Sequence, residues 1–180
     1  MTEALAPLSR EGAPAAQRSL LAAFAELALT RRYRDFGVAA IVSSARVARS
    51  TFYYHFDDKD DLLLQTLQPL IAALAGMPGA PAPTSELERW IAHIWEQRQT
   101  AGRLLAGSTG RKIEAALSQA LRERLDADPN DRRRASMLAE QIAGASLSLL
   151  KAWVGHRVSA TAPEIAQALW RGARAMAAVE

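Results

Sequence analysis

An all-α fold follows from three observations on this 180-residue sequence. Apolar residues recur at spacings of three and four through most of the chain, the period of one helix face. No window alternates polar and apolar residues for long enough to make a half-buried strand. Glycine and proline cluster between the periodic segments, above all in GMPGAPAP at 76–83, the sharpest boundary in the chain, and the helices read as a small N-terminal bundle and a larger C-terminal one. About nine helices are expected.

Residues 1–13 are rich in Ala, Pro, Gly and charge without period and read as a flexible arm. Pro14 suits a first helical position. Leu20, Phe24, Leu27 and Arg31 then step by three and four, with Leu21 and Ala28 widening the stripe, which predicts a helix over about 14–31. YRDFGV interrupts that pattern, and Gly37 marks the next start. Two short helices follow, over about 38–45 and about 49–56. Asp57 or Asp58 can cap the next helix, since a side-chain oxygen there satisfies free amides. That helix, about 58–75, carries Leu62, Leu63, Leu67, Leu70, Ile71 and Leu74.

Beyond 76–83, Thr84 or Ser85 caps a helix with Leu87, Trp90, Ile91, Ile94 and Trp95. GRLLAG and STGR are read as breaks, so the following helix, with Ile113, Leu117 and Leu121, is expected over about 110–126 and ends at DADPND. A helix of about 131–157 has Leu138, Ile142, Ala145, Leu149 and Trp153 on one face and Leu147, Leu150 and Val154 on another, so two sides should be buried. Pro163 starts a last helix with Ile165, Leu169, Gly172 and Met176 on one stripe. The domains implied are an arm at 1–13, an N-terminal domain at 14–57 and a C-terminal domain at 58–180, connected by the helix of about 58–75.

With 49% hydrophobic residues the chain can bury a real core. It has no cysteine, which excludes a disulfide framework, thiol catalysis and Cys-based zinc sites. His55, His93 and His156 are too dispersed for a His-rich metal site. The N-terminus lacks a basic start followed by an apolar core, and no apolar run is read as long enough to span a bilayer. A soluble, cytoplasmic protein without a membrane partner is therefore expected. The formal charge of +3 permits a nucleic-acid partner without demanding one. Its distribution says more: Arg31, Arg32, Arg34, Arg46, Arg49 and Lys59 fall within one short region, opposed by Asp35, Asp57 and Asp58.

Inside that region, ARSTFYYHFDDKDDLLL at 48–64 is the most distinctive stretch. Two short helices separated by a tight turn, after a longer first helix, make a helix-turn-helix candidate. At 100° per residue Phe52 and Phe56 share one side of the second short helix, able to pack against Phe24 and Ile41. Ser50, Thr51, Tyr53 and Tyr54 spread over the other, with Arg49 free to swing outward at the helix start. Hydroxyls can donate to phosphate oxygens and an Arg can bridge guanine acceptors. Lys59 adds a cation in the first turn of the next helix, where free amides would also attract a phosphate. The alternative is a solvated helix corner whose tyrosines cover the core.

The wording of residues 49–63 resembles the end of the DNA-binding domain of the tetracycline-repressor (TetR) family. The likeness covers about 14–62: LLAAFAELA, Tyr33, Ile41, Ala45, Val47, Thr51, Tyr53, Tyr54, His55, Phe56, Lys59 and Leu62. GASLSLLKAWVGH followed by SATAPEIAQAL is similar to a branch of that family with a short C-terminal domain. The resemblance implies a homodimer on double-stranded DNA, each subunit placing 49–55 in the major groove of one half of a palindromic operator. It puts Arg49 and Ser50 at base-reading positions, and Thr51, Tyr53, Tyr54, His55 and Lys59 at phosphate-positioning ones. The chain departs from the family pattern at Gly37, where a Thr is usual, at Arg46, where the turn has Gly, and at Ala48, where a hydroxyl residue caps. Arg46 adds charge near DNA in exchange.

Small residues in the late helices (Gly144, Ala145, Ser146, Ser148; Gly172, Ala173, Ala175) suit close packing, either within one subunit or, as the resemblance implies, between the last two helices of each subunit in the dimer. A small-molecule effector is expected in the C-terminal bundle, with Trp90, Ile94, Leu105, Leu117, Leu121 and Trp153 as lining. No cofactor, metal or catalytic activity is implied. His93 and Glu96, one turn apart, are the single pair that could favour an enzyme. GSTGRK at 107–112 lacks the spacing of a phosphate loop. The rival within the same fold is a regulator that has lost operator binding and acts through a partner protein.

Overall fold

The computed structural model describes residues 15–125 and 132–178. The arm at 1–13, the Pro14 start and the DADPND helix end lie outside the described residues. Among the described residues there are nine α-helices and no strand: α1 (Ala15–Thr30), α2 (Val38–Ala45), α3 (Arg49–His55), α4 (Lys59–Ala75), α5 (Ser85–Glu96), α6 (Arg98–Leu105), α7 (Gly107–Leu125), α8 (Arg132–Val154) and α9 (Ala162–Ala177). Short 3-10 turns lie at Tyr33–Asp35 and Met77–Gly79.

The chain divides into two compact units, residues 1–69 and 70–180. In the first, α1 packs on α2 and α3. Its core is Leu20, Phe24, Phe36, Ile41, Phe52, Phe56, Leu62 and Leu63, all buried. Phe24, Tyr33 and Phe36 form an aromatic trio with centroids about 6 Å apart, Tyr33 meeting both phenylalanines edge to face, which anchors the connection after α1. Asp58 caps α4, its Oδ1 accepting from the amides of Asp60 (2.7 Å) and Asp61 (2.8 Å).

In the second unit α8 is central, packed against α6, α7 and α9, with α5 against α9. Leu117, Leu121, Ile142, Leu147, Leu150, Trp153, Ile165 and Leu169 are buried there. Thr84 caps α5 by accepting from Leu87 N at 3.2 Å. Thr161 and Glu164 close a full capping box on α9. The indole N–H of Trp170 and the Arg174 guanidinium both donate to Ala80 O, pinning the loop before α5 to α9.

Two expectations are corrected. STGR is not a break, and GRLLAG breaks only near its end: α6 runs through Gly102 to Leu105, and α7 begins at Gly107 and includes STGR. The chain turns at Ala106, between them. Gly107 has φ +61°, and a Cβ at Gly110 would lie 2.0 Å from Leu105 O, so these glycines make a sharp helix-to-helix corner instead of ending a helix. A segment of membrane-spanning length also exists: Lys59–Gly79 is long and apolar enough by length and composition. Its Leu62, Leu63, Leu70, Ile71, Leu74, Ala75 and Met77 side chains are buried in the protein's own core, which gives the segment its apolar character.

Candidate nucleic-acid interface

The interface begins with a turn that local chemistry does not favour. Gly37 is the N-cap of α2 and Ala48 the N-cap of α3, and neither supplies a side-chain cap. Between them Arg46 stands in the left-handed region (φ 55°, ψ 41°), where its N–H bonds back to the carbonyls of Ser43 and Val42. Val47 N also returns to Val42 O at 3.1 Å, closing α2 in the manner a C-terminal glycine usually serves. A side chain in this conformation carries strain, so Arg46 is held there by the α2–α3 packing.

Phe52 and Phe56 are 0% and 2% exposed, with ring centroids 5.6 Å apart, and fix the inner side of α3. The opposite side is open. Arg46, Arg49 and Ser50 are exposed, and Thr51 and His55 are half-buried. Tyr53 is 48% exposed and Tyr54 84%, unusual for aromatic side chains and a mark of a contact surface. Arg49 is not loose: its Nη2 donates to Tyr53 Oη at 3.1 Å, one turn along, and its guanidinium lies 5.5 Å from that ring's centroid. Tyr54 and His55 meet edge to face at 4.9 Å. The result is a rigidly seated helix presenting a guanidinium, hydroxyls and aromatic faces, a donor set that fits phosphates and base edges.

Lys59 has a different geometry from the outward cation its position suggests. Its Nζ donates to Tyr33 O (2.6 Å) and Phe36 O (2.8 Å), and sits 3.9 Å from the Tyr33 ring centroid. Burial lowers the pKa of this ammonium, partly offset by the Asp60 charge. The Tyr33 hydroxyl donates to Asp60 Oδ1; burial first, then this bond, raises the phenol's pKa strongly. The α4 amides expected to be open to a phosphate are occupied by Asp58. Tyr33, Phe36 and Asp60 carried no local signal of this role, because their partner lies more than 20 residues away in sequence or belongs to another element.

In the second unit Trp90, Ile94, Leu105, Leu117, Leu121 and Trp153 are all buried. Trp153 stacks on Trp95 (4.8 Å, 22°) and its indole N–H is used by Ala160 O at 2.8 Å. Trp90 differs: its Nε1 is buried with no hydrogen-bond partner among the described residues. His93 and Glu96 lie at 3.9 Å, with Glu96 largely exposed. Burial lowers the imidazole's pKa against the pull of Glu96.

Residues 20–66 match the family model of bacterial regulatory proteins of the tetR family. Among solved structures, "Dihydroxyacetone kinase operon activator DhaS" is similar over 89% of this chain and 94% of its own, at 16% identity and a TM-score of 0.52. No curated protein matches the sequence significantly.

Proposed function

We propose, for a chain that belongs to the TetR family of bacterial regulators through residues 20–66, a homodimeric repressor that binds a palindromic operator and is released by a small molecule. The family's DNA-binding domain makes transcription regulation its function. The observation that carries the reading is the outer face of α3, with Arg49 braced by Tyr53 and Tyr54 almost fully exposed on a helix anchored by Phe52 and Phe56. Arg49 and Ser50 read base edges in the major groove. Arg46, Thr51, Tyr53, Tyr54 and His55 position phosphates.

Dimerisation is assigned to α8 and α9. Met137 is 54% exposed, Ala145 is exposed, and a Cβ at Gly172 would meet nothing within 4 Å, which leaves room for a second helix. The effector is an apolar or amphipathic molecule in the C-terminal bundle. The partnerless Trp90 N–H supports one that offers a hydrogen-bond acceptor. Binding shifts the tilt of α4 and hence the spacing of the two α3 helices, and must favour the spacing that does not fit DNA. No catalysis, cofactor or membrane enters this scheme, and the cytoplasm is its setting.

The uncapped starts of α2 and α3 favour one rival, a same-fold regulator that has lost operator binding and works through a partner protein. A gel-shift against the region upstream of the chain's own coding sequence, at two salt concentrations, separates them. A repressor binds one duplex selectively and weakens as salt rises. Equal, feeble binding to every duplex would leave only the rival.

A further inference from the structure

An ammonium has three N–H donors. At Lys59 two are taken by the Tyr33 and Phe36 carbonyls, and the group lies over the Tyr33 ring with the Phe36 ring 5.0 Å away. The adjacent Asp60 holds the Tyr33 hydroxyl, so consecutive residues of the first turn of α4 grip the same turn from two sides. The surroundings are not those of a phosphate site. Asp57 and Asp58 are exposed beside it, and Asp58 occupies the helix amides.

We propose that Lys59 is a positioning residue, a latch that ties the turn preceding α2 to the start of α4, and not a contact to DNA phosphate. Tyr33–Asp35 and Phe36 lead directly into Gly37, the uncapped start of α2. The latch supplies from α4 the restraint that a cap would give locally. Its functional consequence rests on the DNA-binding reading: any movement of the first turn of α4 is passed through this grip to α2, and from α2 to the reading helix α3 packed on it.

The sequence has three lysines, Lys59, Lys112 and Lys151, so lysine-selective 13C labelling of the full chain gives a sparse spectrum. The ring current of Tyr33 should hold the Lys59 ε-methylene signal upfield of the other two. It should stay upfield when a mixed-sequence duplex of about 30 base pairs is added to saturation at low salt. An unshifted Lys59 signal in the free chain, or its return to the unshifted position on the duplex, overturns the latch. If the duplex perturbs no signal of the wild-type chain, the DNA-binding reading fails while the free-chain signal still decides the latch. A second arm uses Lys59→Met on the same duplex. The latch predicts weaker binding with an unchanged slope of log affinity against log salt, together with faster amide exchange at residues 33–37. A slope shallower by about 0.9, the signature of one lost phosphate contact, with unaltered exchange overturns it. Should Lys59→Met not fold, the wild-type spectrum alone decides.

Discussion

Two helices in each unit start in opposite ways, although α4 is capped by Asp58 and α6 starts on Gln97 without a side-chain cap. In the C-terminal unit α5 and α9 begin on Thr84 and Thr161, with side-chain caps and, at α9, a reciprocal bond from Glu164. In the N-terminal unit α2 and α3 begin on Gly37 and Ala48 with no side-chain cap, across a turn held by a left-handed Arg46. The difference is not a matter of burial, because both units have closed cores. It separates helices stabilised by their own ends from helices held by anchors elsewhere: Phe52 and Phe56 beneath α3, and Lys59 on the turn before α2. Departures from local rules concentrate at functional sites, and here they fall at the surface assigned to DNA.

The comparison breaks first at the anchor. Phe52→Ala should destabilise the N-terminal unit by about 3–5 kcal/mol, because the side chain is fully buried and leaves a cavity. Urea unfolding followed by tyrosine and tryptophan fluorescence checks it, and a loss under about 1 kcal/mol would mean that α3 is not held from beneath. The caps should respond next, and in opposite senses. Thr161→Ala should cost about 1 kcal/mol while Ala48→Ser adds a similar amount, both read by the same unfolding curves. If Ala48→Ser gains nothing, the start of α3 is satisfied by other means. The smallest effect belongs to Gly37→Ser, a gain of a few tenths of a kcal/mol, since open space surrounds that position and glycine is already a fair N-cap.

Much of this was legible in the sequence. The boundaries of α2 and α3, a cap at Asp57 or Asp58 and the division of α3 into an inner Phe face and an outer polar face all follow from spacing and side-chain type, and the structure places the cap at Asp58. What could not be read depends on tertiary placement. Glycine at 107 and 110 looks like a helix breaker until Gly107 is seen to take a left-handed φ and Leu105 to lie where a Cβ of residue 110 would be. Lys59 looks like a free cation until Tyr33 and Phe36 are folded beneath it. Arg49 looks free to swing outward until Tyr53, one turn along, is seen to accept its hydrogen bond. The same limit applies to the apolar run at 59–79, whose buried side chains are identified by packing alone.

That the outer face of α3 reads DNA is tested most directly by selection from a pool of randomised duplexes, with the wild-type chain and Arg49→Ala side by side. The wild type should enrich a two-fold symmetric site, and Arg49→Ala should bind more weakly and lose preference at one or two base pairs per half-site, at about 1–3 kcal/mol for each lost bidentate contact. Enrichment of no sequence by the wild type, or an unchanged preference in Arg49→Ala, would contradict it.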